Sequence, residues 1–206
     1  MAEERRQIPV PHGHLEAVFH PGNSEPSRVA LILHPHPQFG GDMHNPVVLR
    51  AARTLEALGC STLRFNFRGV GSSTGSWDEG RGELEDARTA LDYLLNDRAR
   101  AGEVLIAGYS FGSVIGLRLG CEDARVQSIV SIATPVRLFD PAFLADCVKP
   151  KLFVHGEADD MAPLAPVEDL AAGPGGRLRV IPGAGHFFAY EEDELEGILR
   201  TELAHA

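Results

Sequence analysis

Gly108-Tyr109-Ser110-Phe111-Gly112 sets a serine between glycines two residues to either side. A serine hydroxyl attacks a carbonyl carbon only when a base takes its proton and an acid fixes that base. Both partners have candidates downstream: Asp159 in HGEADDMAP and His186 in PGAGHFF. Nucleophile, then acid, then base is the chain order that accompanies a GxSxG elbow. The chemistry such a set would do is acyl transfer.

Elements must position these three groups, and the pattern supplies them. Continuous apolar runs at Arg28–Leu33, Glu103–Ala107, Val126–Ala133 and Lys151–His155 read as strands buried on both faces, and Ser61–Phe67 and Leu178–Ile181 as further strands. His14–His20 alternates like a first edge strand. Between them, Asn45–Leu58, Glu83–Leu95, Phe111–Leu119 and Leu164–Ala172 carry helical spacing, and Glu192–Leu203 closes the chain as an acidic helix. Asn45 followed by Pro46 marks a helix start, and Gly59 a stop. Strands alternating with helices predict one α/β domain over residues 1–206, a mostly parallel sheet covered on both faces. In such sheets function collects at the carboxyl ends of the strands, where Ser110, Asp159 and His186 all fall.

Rivals exist for each role. Gly71-Ser72-Ser73-Thr74-Gly75 also matches GxSxG, but no helix follows it, so Ser73 is expected to be a loop serine. Asp160 neighbours Asp159 and is less well placed in register, while Asp140, after Val126–Ala133, is a backup acid. Of the nine histidines, His12, His14, His20, His44, His155 and His205 are expected at the surface, at edges or in turns.

Acyl transfer also needs N–H donors for the developing oxyanion. Phe111 N–H, at a helix start, is one. The second is expected from His34-Pro35-His36-Pro37-Gln38-Phe39-Gly40-Gly41, where the prolines have no N–H, leaving His36 favoured and Gln38 onward as alternatives. Two histidines in HPHP lack a third ligand nearby, so no metal is expected. Arg68 is expected to brace loops against Asp86 or Glu83.

Composition excludes several classes. The 206 residues carry a net charge of -10, with 2 lysines and 17 arginines and no basic run longer than Arg5-Arg6, which argues against nucleic acid. Neither GxxxxGK[ST] nor a GxGxxG after a strand occurs, so no nucleotide cofactor is expected. No apolar stretch is long enough to span a bilayer, and no signal peptide is evident. Cys60, Cys121 and Cys147, odd in number and widely spaced, fit reduced thiols in a cytoplasmic protein.

The segments LILHPHPQFGGDMHNPVV, LRFNFRGVGSSTGSWDEGRGELEDA, LIAGYSFGS, FVHGEADDMAP and PGAGHFF together resemble the α/β-hydrolase superfamily, and within it the small lid-less bacterial serine hydrolases with an HPHP…GG loop. The resemblance implies the α/β-hydrolase fold with no lid domain, Ser110 as nucleophile, Asp159 as acid, His186 as base, and oxyanion donors at His36 and Phe111. The stretch Ala133–Pro150, where many such enzymes insert a lid, is too short to hold one. An open site then favours small, short-acyl carboxylic esters as substrate, with thioesters, lactones and amides open to the same machinery. A non-catalytic binding protein on this scaffold is the rival class.

Overall fold

The computed structural model describes residues 3–23, 28–97 and 102–204. Eight strands form one sheet: β1 (Glu4–Val10), β2 (Gly13–His20), β3 (Arg28–Leu33), β4 (Ser61–Phe65), β5 (Glu103–Tyr109), β6 (Ser128–Ile132), β7 (Lys151–Gly156) and β8 (Gly176–Ile181), ordered β1-β2-β4-β3-β5-β6-β7-β8. The β1–β2 and β2–β4 pairings are antiparallel and all others parallel.

The apolar runs of the central strands divide between two cores. In β3, Val29, Leu31 and Leu33 face α2 (Arg81–Asp97) and α3 (Phe111–Glu122), while Ala30 and Ile32 face α1 (Pro46–Ala57) and α5 (Glu192–Leu203). A strand covered on both sides must be apolar at every position, hence RVALIL and EVLIA. The remaining helix, α4 (Leu164–Ala171), adds Val167 to the first core. Asn45 caps α1 by accepting the Val47 N–H, with Pro46 at its first position.

Strand β1 was not expected. Its ERRQIPV buries only Ile8, and it carries Pro9, which an edge strand tolerates because one side of its ladder is unpaired. Between β6 and β7 the chain makes only two 3-10 turns, Val136–Leu138 and Pro141–Leu144, so no lid covers the carboxyl end of the sheet. Among the described residues no helix is long and apolar enough to cross a membrane.

The expectation of reduced thiols is corrected in part: Cys121 and Cys147 form a disulfide, their Cα atoms 5.5 Å apart, and only Cys60 is free, and buried. The 26-residue separation hides that the end of α3 lies against the loop entering β7. The cytoplasmic expectation rested in part on those thiols. His155 is corrected too. Expected as a surface, edge or turn residue, it is fully buried near the end of β7, because this inner strand has both faces covered. His205 lies outside the described residues.

Candidate active site

Strand β5 runs straight into α3, and Ser110 at the junction has φ 52° and ψ -120°, a left-handed backbone that a serine rarely adopts. The turn is held by Ser110 N–H donating to Ile132 of β6 and by Ser113, whose N–H and hydroxyl both donate to the Ser110 carbonyl. A side chain at Gly112 would place Cβ 2.4 Å from the Leu33 carbonyl oxygen, and one at Gly108 would meet Gly112 itself at 2.2 Å. Only hydrogen fits at either position. The Ser110 hydroxyl makes no cap bond to α3. It lies instead 3.0 Å from His186 Nε2.

His186 follows β8 in a loop, and Asp159 follows β7. Gly156, the last residue of β7, lets the two loops close: a Cβ there would sit 2.3 Å from the Ala184 carbonyl oxygen. His186 Nδ1 is 2.7 Å from Asp159 Oδ2, and the other carboxylate oxygen accepts the Met161 and Ala162 N–H groups at 3.0 and 2.7 Å. Burial pushes the Asp159 pKa up, yet the His186 bond and the Ala162 N–H outweigh it and hold the carboxyl below its ordinary value. The Tyr109 hydroxyl donates to the His186 carbonyl at 3.0 Å, fixing the loop from below. Burial, and then the Asp159 charge, push the Tyr109 phenol up, so it remains a donor.

The rivals lie elsewhere. Asp160 is exposed, and Asp140 is an exposed cap accepting the Ala142 N–H. Ser73 is buried, bonded to the Asn66 carbonyl and the Glu16 N–H. Arg68 grips Asp86 through Nε and Nη2, as expected, while Glu83 accepts the Asp78 and Gly80 N–H groups instead.

In the loop after β3 most backbone donors are already engaged. Gln38 N–H is taken by His36 Nδ1 at 3.2 Å, Phe39 and Gly41 N–H donate to the His36 carbonyl, and Gly40 N–H to Pro37. That leaves the His36 N–H, alongside Phe111 N–H in the first turn of α3, where helices have no partner for their donors. His34 is structural: Nδ1 donates to the Pro35 carbonyl at 2.6 Å, and Nε2 accepts the Phe67 N–H at 3.0 Å. Among the described residues no three His, Cys, Asp or Glu side chains cluster as metal ligands.

Sequence reasoning missed the site's walls. Trp77, from the loop after β4, packs on His36 and Phe111 with ring centroids 4.5 and 5.2 Å apart. Phe39, Leu138, Met161 and Phe187, in the loops after β3, β6, β7 and β8, are all exposed large apolar residues. Phe39 packs on His36 and Phe187 on His186, with ring centroids 4.7 and 5.5 Å apart, which sets apolar side chains beside the site.

The α/β-hydrolase fold family matches residues 31–148. An uncharacterised protein of Rickettsia prowazekii is 36% identical over 203 residues, covering 94% of this chain and 85% of its own. A solved structure from Agrobacterium tumefaciens, a protein of unknown function assigned to the α/β hydrolases, superposes with a TM-score of 0.90 at 38% identity, covering 97% of this chain and 94% of that one. A Xanthomonas campestris serine hydrolase described as lacking a lid superposes at 0.88 with 31% identity, covering 98% and 94%.

Proposed function

The chain belongs to the α/β-hydrolase fold family, and from that premise we propose that it is a serine hydrolase of carboxylic esters working through an acyl-enzyme on Ser110. The observation that carries this reading is the hydrogen-bonded line from Asp159 through His186 to Ser110, with steps of 2.7 and 3.0 Å.

His186 Nε2 takes the hydroxyl proton as Ser110 Oγ bonds to the ester carbonyl carbon. The carbonyl electrons move onto oxygen, and the His36 and Phe111 N–H groups donate to that oxyanion. Collapse breaks the bond to the alkoxy oxygen, and the alcohol leaves with the proton from His186. Water, deprotonated by His186, then attacks the acyl carbonyl and releases the acid and free Ser110. Asp159 keeps the proton on Nδ1, so that Nε2 faces the serine as an acceptor. No step calls on a metal or organic cofactor, and residues 1–206 act as one domain.

Thioesters could enter the same cycle, but no feature of the site favours sulfur over oxygen. A binding-only role would not need Ser110 held in a strained backbone with its hydroxyl against an imidazole.

Two measurements test the reading. Replacing Ser110 by Ala should lower kcat on p-nitrophenyl butyrate by about a millionfold, the size of effect a lost nucleophile has in such triads. A fluorophosphonate probe should leave its adduct on Ser110 of the folded wild-type protein. Undiminished turnover in the Ala variant, or wild-type protein that neither labels nor turns over, refutes it.

A further inference from the structure

A groove of about 490 Å³ begins at Phe111, the residue after the nucleophile, and runs along α3 between α2 and the turn after β6. Phe111, Val114, Ile115, Arg118 and Glu122 form one stripe of α3 along it. From Phe111 to Glu122 that stripe is about 16 Å long at the rise of an α-helix. Leu84 and Phe139 form the flanking walls, both only partly buried, and Leu138 at the edge is 75% exposed. The far end is polar: Arg88 and Arg118 share the single Glu122 carboxylate, at 3.0 and 3.1 Å.

We propose that this groove is the acyl-chain subsite, and that the substrates are esters of medium-length, unbranched fatty acids. The inference rests on the acyl-enzyme reading above and goes beyond it. In that intermediate the acyl carbon is tethered to Ser110 Oγ, at the very start of α3, and its oxygen points at the Phe111 N–H. A chain leaving that carbon meets the groove at its Phe111 end. Carbon chains advance about 1.3 Å per bond, from the 3.8 Å between Cα atoms three bonds apart, so 16 Å takes about twelve bonds. The apolar walls suit methylenes, and the charged groups at the far end lie at the distance where such a chain would stop. The short-acyl preference expected from the missing lid is thereby replaced: with no lid, the chain lies along the helix instead of under a cover.

A larger cavity of about 580 Å³ near the β1–β2 hairpin offers less. Its His12 and Arg68 already bond Asp86, and its lining holds neither Phe111 nor any other residue of α3.

The test is kcat/KM on p-nitrophenyl acetate, butyrate, octanoate and decanoate, set against acetates of alcohols of increasing length. Each methylene buried in the groove should raise kcat/KM by about fourfold, so wild-type values should climb with acyl length and not with alcohol length. Val114→Trp, which fills a half-buried position, should cut the decanoate-to-acetate ratio by about tenfold or more. Leu138→Asp, at an exposed position that folding does not depend on, should cut it in the same direction. Val148→Ser, exposed on another part of the surface, should leave that ratio unchanged. A ratio that stays at the wild-type value in both groove variants, or a wild-type preference for acetate, overturns the groove assignment. Labelling of Ser110 by the fluorophosphonate probe would still stand in that case, which separates this failure from failure of the ester-hydrolase reading.

Discussion

His155 Nε2 lies 3.6 Å from Asp159 Oδ2, the same carboxylate oxygen that His186 Nδ1 meets at 2.7 Å. His155 Nε2 bonds the Ala162 carbonyl at 2.6 Å, while the Ala162 N–H bonds Asp159 Oδ1. The buried imidazole thus closes the turn that presents Asp159. Burial pushes its pKa down, so it stays neutral with the proton on Nε2. Replacing His155 by Leu keeps the volume but leaves the Ala162 carbonyl buried without a donor. The expected loss is about 1–3 kcal/mol of stability, read by urea unfolding, together with a lower kcat as the Asp159 turn loosens.

Asp159 and Asp140 make opposite predictions. Asp159→Asn would favour the imidazole tautomer with its proton on the wrong nitrogen, and kcat should fall by about four orders of magnitude. Asp140→Asn touches only an exposed cap, so kcat should stay within about twofold of wild type, since surface changes are worth about ±0.5 kcal/mol. Steady-state kinetics on one p-nitrophenyl ester checks both. If Asp140→Asn lost the activity instead, the acid assignment would be wrong.

The chain order Ser110, Asp159, His186 was legible because strand-end loops are short and each carries few polar residues. The two-faced burial of the inner strands was legible from their unbroken apolar runs. Strand β1 was not, because an edge strand with one buried side chain leaves almost no hydrophobic period. Trp77 and the groove along α3 were hidden for a different reason: Trp77 packs on the loop after β3 and the start of α3, the groove arises where α2, α3 and the turn after β6 meet, and no local pattern records either meeting. Cys121 and Cys147 looked unpaired for the same reason. His155 was misjudged because a lone histidine at a strand end reads alike whether its strand is inner or outer.

The Cys121–Cys147 bond ties the last turn of α3 to the loop before β7. Closing a loop of 26 residues removes unfolded-state freedom worth about 3–4 kcal/mol. Oxidised protein should therefore unfold at clearly higher urea than the same protein in dithiothreitol, and Cys147→Ser should match the reduced form. Thiol counting of protein from its native source would locate it: one free thiol marks an oxidising compartment, and three mark the reducing cytoplasm.

His34 sets the pH dependence of folding. Its Nε2 accepts the Phe67 N–H, so a proton there would set two donors face to face, and burial holds its pKa at about 4 against an ordinary 6.5. Between pH 6.5 and about 4 the unfolded chain binds a proton that the folded chain refuses. Stability is therefore complete above pH 6.5 and falls as the pH drops through that window, by up to about 3 kcal/mol from this group. His36 and His155, also pushed down by burial, act with the same sign. Asp159, Asp123 and Glu16 have lowered values, so their contributions fade only at the acid end of the window and below. Urea unfolding at pH 7 and pH 5 should show the loss, and His34→Gln, which can still accept the Phe67 N–H, should flatten it. An equal slope in wild type and variant would move the pH dependence to His36 and His155.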